Sequence, residues 1–270
     1  MNDHIPTHEP RTVAGLLSPT FERINRGEES DRIPFPLADL NRLAPHALTP
    51  GKLIVIAGHT GHGSTTLALD IARNAAVNLE QPTYLATLTV PADDIAQRIL
   101  AAQAGVPMVR IANGDLDDND MRRISMATGE IKAAPLYVSQ ERTVFNNAAN
   151  GLEVKLAVVD GAHLLADPTT VAARRLKNLA MSSGICVVAT VPLDGRGGRN
   201  EPYLSHFDSL YPFVADADMV LLTYRPDVVE REHPRAGEID ITVAKHRGGA
   251  VGTATACIQT HYSRILSFQQ

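Results

Sequence analysis

Leu53-Ile-Val-Ile-Ala57 runs straight into Gly58-His-Thr-Gly-His-Gly63-Ser64-Thr65, and Thr65-Thr-Leu-Ala-Leu-Asp-Ile-Ala72 follows. The first stretch is continuously apolar and rich in β-branched residues, as a strand buried on both faces requires, and the last carries apolar residues at helical spacing. Between them lies the glycine frame of a phosphate-binding loop, G-x-x-x-x-G-K-[ST]. In that frame backbone N–H groups curl round a nucleotide's phosphates and a Lys reaches the β and γ positions. Ser64 stands at the Lys position. Gly58, Gly61, Gly63, Ser64, Thr65 and Thr66 are therefore candidate nucleotide contacts in a cradle that lacks its main cation.

A second signature comes further along. Lys155-Leu-Ala-Val-Val-Asp160 is an apolar strand ending in a carboxylate, which places Asp160 beside the loop's Mg²⁺. Thr65 and Asp160 are the expected Mg²⁺ pair if nucleotide binds. Strands are predicted at 52–57, 83–88, 135–139, 155–160, 185–191 and 218–224, with helical patterns after the first, second and fourth and a weaker one after the third. That order predicts an α/β fold, a mostly parallel twisted sheet with helices on both faces. Glu238-Ile-Asp-Ile-Thr-Val-Ala244, Thr253-Ala-Thr-Ala-Cys-Ile258 and Arg264-Ile-Leu-Ser-Phe268 alternate, with Gly248-Gly249 between the first two, and predict an antiparallel C-terminal edge.

With 270 residues, 44% of them hydrophobic and 20% charged, the chain has material for one large core and a short appendage. Residues 1–32 form the appendage: Met1 to Pro10 has no periodicity and reads as disordered, while Thr12–Leu17 and Phe21–Ile24 predict an amphipathic linker helix. Residues 33–270 form the domain. A helix that short is marginal in water alone, so its apolar stripe must pack on this domain or on a neighbouring copy. No apolar run approaches the roughly 18 residues of a membrane span, and the N-terminus lacks a signal-peptide pattern, so a cytoplasmic chain without a membrane partner is expected. A net charge of −5 excludes recruitment of DNA by global electrostatics. Cys186 and Cys257 fall in predicted strands and read as buried thiols, not as a disulfide or metal ligands.

Further stretches, taken in order, carry a family resemblance. Phe35-Pro-Leu-Ala-Asp-Leu-Asn41, Leu48-Thr-Pro-Gly-Lys52 before the loop strand, Leu88-Thr-Val-Pro91 leading into Ile95-Ala-Gln-Arg98, Asp216-Ala-Asp218-Met-Val-Leu-Leu-Thr-Tyr-Arg225, and Val243-Ala-Lys245-His-Arg247-Gly-Gly-Ala-Val-Gly252 form this series. Together they resemble the C-terminal motor domain of DnaB-type replicative helicases over residues 33–268. The resemblance implies a RecA-like P-loop NTPase core, ATP and Mg²⁺ held between subunits, and movement along single-stranded DNA. The N-terminal helix resembles the linker helix that docks on the adjacent subunit, which implies a homo-oligomer, ring or filament.

The same resemblance exposes losses. Besides the Lys replaced by Ser64, the catalytic Glu of the family is Thr89, and its γ-phosphate-sensing Gln is Pro192. Asp160 remains, and Lys245 and Arg247 match the pair that the family inserts towards the neighbour's nucleotide. Arg196 and Arg199, in Asp194-Gly-Arg-Gly-Gly-Arg-Asn200, sit where the family's central-channel loop meets DNA; the alternative is an ordinary solvated loop. The stretches before Asp160 and after Leu165 are shorter than in the family, which weakens the implied DNA grip. His59 and His62 lie in the loop, but an imidazole is short and mostly neutral at pH 7, so neither replaces the lysine. His163 reads as a polar loop residue in preference to a catalytic base.

Thr89 cannot take up a proton near neutral pH, so hydrolysis near background is expected. ATP or ADP with Mg²⁺ is expected to bind weakly or not at all. The function expected is a regulatory or scaffolding protein of DNA metabolism, partnered by single-stranded DNA or a related helicase. The alternative is an active DNA-dependent ATPase in which another cation serves the loop.

Overall fold

In a computed structural model of the chain, the described residues are 12–25, 32–142, 153–165, 168–193 and 201–268. Among them nine strands build one sheet: β1 (Leu53–Gly58), β2 (Thr83–Thr87), β3 (Leu136–Ser139), β4 (Leu156–Asp160), β5 (Cys186–Pro192), β6 (Met219–Tyr224), β7 (Glu238–His246), β8 (Gly252–Gln259) and β9 (Arg264–Leu266). Their order is β3-β2-β4-β5-β1-β6-β7-β8-β9. β1 to β6 are parallel, and β7 to β9 continue the sheet antiparallel, as the alternating tail predicts.

The helices are α1 (Val13–Asn25), α2 (Ala38–Leu43), α3 (Ser64–Arg73), α4 (Ala92–Ala104), α5 (Met108–Asn113), α6 (Asp118–Ala133), α7 (Thr169–Ser183), α8 (Tyr211–Asp216) and α9 (Pro226–Val229). The helix expected between β3 and β4 falls outside the described residues. Period-two alternation in β1 explains the two layers. Ile54 and Ile56 face a core shared with Leu67, Ala68 and Ile71 of α3, while Leu53, Val55 and Ala57 face one shared with Leu176 of α7, Phe207 and Phe213. Cys186 is buried as expected; Cys257 is only half-buried, because alternation along β8 turns it to the less covered side of the sheet.

One long-range contact seats α3, and a second close approach fixes the end of β1. The carboxylate of Asp70, itself buried, accepts the backbone N–H of Ile265 in β9, 195 residues away in sequence. Gly58, at the end of β1, lies so close to β6 that a Cβ there would collide with Thr223 Oγ1, which is why the strand ends in glycine. α1 forms where the sequence predicts it. Val13, Leu17, Phe21 and Ile24 fall along one flank and stay 48–72% exposed, so the stripe is left uncovered by the described residues.

Candidate nucleotide site

In a parallel sheet all strands point one way, so the residues at the C-terminal ends of β1, β2, β4 and β5 gather at one edge. There β1 gives way to the loop 59–63, and α3 begins at Ser64. Gly61 and Gly63 have φ of +85° and +90°, a left-handed conformation that glycine adopts without strain. A Cβ on Gly63 would also meet Ile239 Cδ1 at 2.8 Å and Ile258 Cδ1 at 3.0 Å, so the loop is wedged against the antiparallel extension. Gly63 is the N-cap of α3 and provides no side-chain cap, which leaves the helix's first N–H groups available to an anion. Ser64, Thr65 and Thr66 are half-buried at this helix start.

The loop carries no compensating charge of its own. His59 and His62 are both buried, 6% and 1% exposed. Burial, with His59 and Arg225 beside it, holds the His62 imidazole down at about 4. Burial and then the neighbouring His206 lower His59 as well. His62 is a structural acceptor: its Nδ1 takes the backbone N–H of Arg225 at 2.9 Å, and its ring stacks on Tyr224 at 5.4 Å between centroids. Arg225 is the guanidinium next to the loop, with Nη1 3.1 Å from the Gly61 carbonyl, but Nε and Nη2 pair with Asp227 at 3.1 and 2.8 Å.

Asp160 is fully buried at the end of β4 and accepts three hydroxyls. Thr65 donates to Oδ1 at 2.9 Å, Thr190 donates to Oδ1 at 2.8 Å, and Thr89 donates to Oδ2 at 2.5 Å. Thr190, 5% exposed, in turn accepts the N–H of Gly161 at 2.8 Å. Thr89, which the resemblance implies stands in place of a catalytic Glu, is thus tied to the carboxylate. As oxygen donors Thr65 and Asp160 suit Mg²⁺. Their availability does not: of the four lone-pair positions on a carboxylate, three are taken, and the buried Thr190 hydroxyl has Asp160 as its acceptor. The residues as arranged therefore do not fit the metal.

Other expected site residues lie apart from the loop or at its margin. Pro192 ends β5 directly across from Gly58. Lys245 and Arg247 do not point into empty space: Lys245 Nζ donates to the carbonyls of Val214 and Ala215 at 2.5 and 3.2 Å, and Arg247 Nη2 to Ala215 at 2.8 Å. Both therefore cap the C-terminal end of α8, where the helix's carbonyls favour cations. Burial, then Arg247, lowers Lys245. His163 sits half-buried in the 3₁₀ turn Ala162–Leu164, its pKa lowered by burial. Arg196 and Arg199 fall outside the described residues.

Two residues that complete this site escaped the sequence reading. Thr190 carried one weak signal, a lone hydroxyl inside the apolar run Val187-Val-Ala-Thr-Val191. Arg225 carried none, because its nearness to the loop depends on the β1–β6 pairing.

A glycine loop at the end of a central parallel strand, a carboxylate ending a strand two places away, and an antiparallel extension define a RecA-like α/β domain of the helicase ATPase type. The sequence profile of the DnaB-like helicase C terminal domain matches residues 33–267, and the chain belongs to that family. Replicative DNA helicase DnaB of Leifsonia xyli subsp. xyli (strain CTCB07) is 31% identical over 290 residues, covering 98% of this chain and 62% of that protein. The DnaB of Mycobacterium intracellulare is 31% identical over 223 residues, 75% of this chain and 38% of that protein. The chain thus spans less than two thirds of the length of these relatives. Among solved structures, an ATPase domain superposes with a TM-score of 0.85 at 21% identity, covering 97% of this chain and all of that one. A DnaB-like replicative helicase described with its primase interactions gives 0.80 at 21% identity, covering 97% of this chain and 68% of that one. At this identity the two superpositions establish the fold.

Proposed function

We propose that this chain is a DnaB-like helicase domain that does not turn over ATP and serves DNA replication as a regulatory or scaffolding partner of DNA or of a related helicase. The observation that carries this reading is the state of charge at the loop. Ser64 offers a neutral hydroxyl, His59 and His62 are buried with lowered pKa, and the Arg225 guanidinium is engaged by Asp227. ATP or ADP then binds weakly or not at all, through backbone N–H groups alone. Steady-state hydrolysis, with and without single-stranded DNA, is expected to match that of Asp160→Asn. DNA-stimulated turnover that vanishes in this variant overturns the reading and favours the active-ATPase alternative, with Arg225 swung from Asp227 to the phosphates.

Assembly belongs to the same proposal. Residues 1–32 act as a linking arm and 33–270 as the domain, and the exposed stripe Val13, Leu17, Phe21 and Ile24 docks on a second copy to form a ring or filament. Lys245 and Arg247 would then approach the neighbour's loop, and Arg196 and Arg199 would face DNA. Sedimentation at matched concentration is expected to show association of the full chain and a monomer once residues 1–32 are removed. A monomeric full chain at tens of micromolar, on the scale of transient assemblies, rejects the linking arm.

A further inference from the structure

We infer that Asp160 has been converted from a metal ligand into a structural clasp, closed by the hydroxyls of Thr65, Thr89 and Thr190, which ties four parts of the domain together where the family's fold would place a divalent cation. The inference deepens the proposed loss of turnover and rests on that reading.

The geometry has three parts. The hydroxyls come from the first turn of α3, the residues after β2, and the interior of β5, while the carboxylate ends β4. Asp160 Oδ1 accepts two hydrogens and Oδ2 one, so donors surround the carboxylate much as a cation would and stabilise its charge in a buried place. Each such bond to a charged acceptor contributes more than a neutral one, and together they fill three of the carboxylate's four acceptor positions, with which a metal would compete. Thr190 cannot turn to water, being buried, and its oxygen is already occupied by the Gly161 N–H.

Thr89 is the residue that closes the clasp. A Cβ built on Gly161 would stand 2.6 Å from Thr89 Cγ2, so the methyl group lies against the turn after β4 while the hydroxyl reaches Asp160. A longer acidic side chain at this position would set a second carboxylate beside Asp160, a repulsion that a shared proton or a cation would have to relieve. A threonine requires none. The domain is thereby set in one arrangement, with no site for Mg²⁺ to enter or leave as nucleotide comes and goes.

The test uses the full chain in EDTA. Thr89→Val keeps the β-branched shape and the methyl contact but loses the donor, and its folding equilibrium constant, read by denaturant unfolding, is expected to fall about ten- to a hundredfold. Thr89→Ser is expected to retain most of the stability. In parallel, without the chelator, millimolar Mn²⁺ with ADP is expected to give no site-bound signal by electron paramagnetic resonance and no shift in the unfolding midpoint. Thr89→Val as stable as the parent overturns the clasp. So does bound Mn²⁺ that is lost in Thr65→Val, because the metal would then occupy the place assigned to the hydroxyls. Neither readout depends on hydrolysis: a stable clasp together with real turnover would sink the functional reading while leaving the Thr89 result standing.

Discussion

Ser64→Lys is expected to tighten ATP binding by about ten- to a hundredfold while leaving hydrolysis at the parent's level. The cradle is already shaped for it, since Gly61 and Gly63 keep their left-handed conformations and the start of α3 is uncapped. An ammonium added there contacts phosphate in ground state and transition state alike, so it strengthens binding more than it lowers a barrier. On the proposed reading the group that would polarise water is still missing, since Thr89 donates to Asp160 and Pro192 stands opposite Gly58. Equilibrium binding of labelled ATP alongside phosphate release on one preparation decides the matter. Recovery of turnover in step with affinity would mean that Thr89 and Pro192 are not what silences the site.

The second large effect is on stability, and its source is the same loop. His62 is held at about 4 when folded against an ordinary 6.5. Below 6.5 the unfolded chain takes up a proton there and the folded chain does not, so stability is complete above 6.5 and declines as pH falls towards 4. The full difference amounts to about 3 kcal/mol, lost at up to about 1.4 kcal/mol per pH unit. Asp227 opposes the shift weakly, whereas burial, His59 and Arg225 produce it. His62→Asn keeps an acceptor for the Arg225 N–H without titrating. Denaturant curves from neutrality down to about pH 5, before carboxylates intervene, should show a flatter decline for the variant. Equal slopes would place the acid sensitivity elsewhere, with His59 and His163 the next groups lowered by burial.

Both effects involve residues that the sequence shows plainly, yet only part of their role could be read there. The nine strands were legible because a strand buried on two faces is written as an unbroken apolar run, as in Leu53–Ala57, and a strand covered more fully on one face as alternation, as in Thr253–Ile258. α2 and α8 were not, since six residues are too few to display a helical period. Ser64 and Asp160 declared themselves by motif. The engagement of Thr190 and Arg225 did not, because it depends on which strands lie side by side. Lys245 and Arg247 were read through resemblance as contacts to a neighbour, and only the packing of β7 against α8 shows what they hold within their own chain.

The bond from Ile265 to Asp70 also has a consequence for the order in which this domain comes into being. A ribosome emits α3 well before β9, and closing a loop of 195 residues is slow and entropically costly. Until β7 and β8 arrive Gly63 lacks Ile239 and Ile258, which wedge it, and until β9 arrives the buried Asp70 lacks one of its donors, so the phosphate loop takes its shape only after the antiparallel extension is made. A nascent chain halted before β7 would present the motif without the cradle.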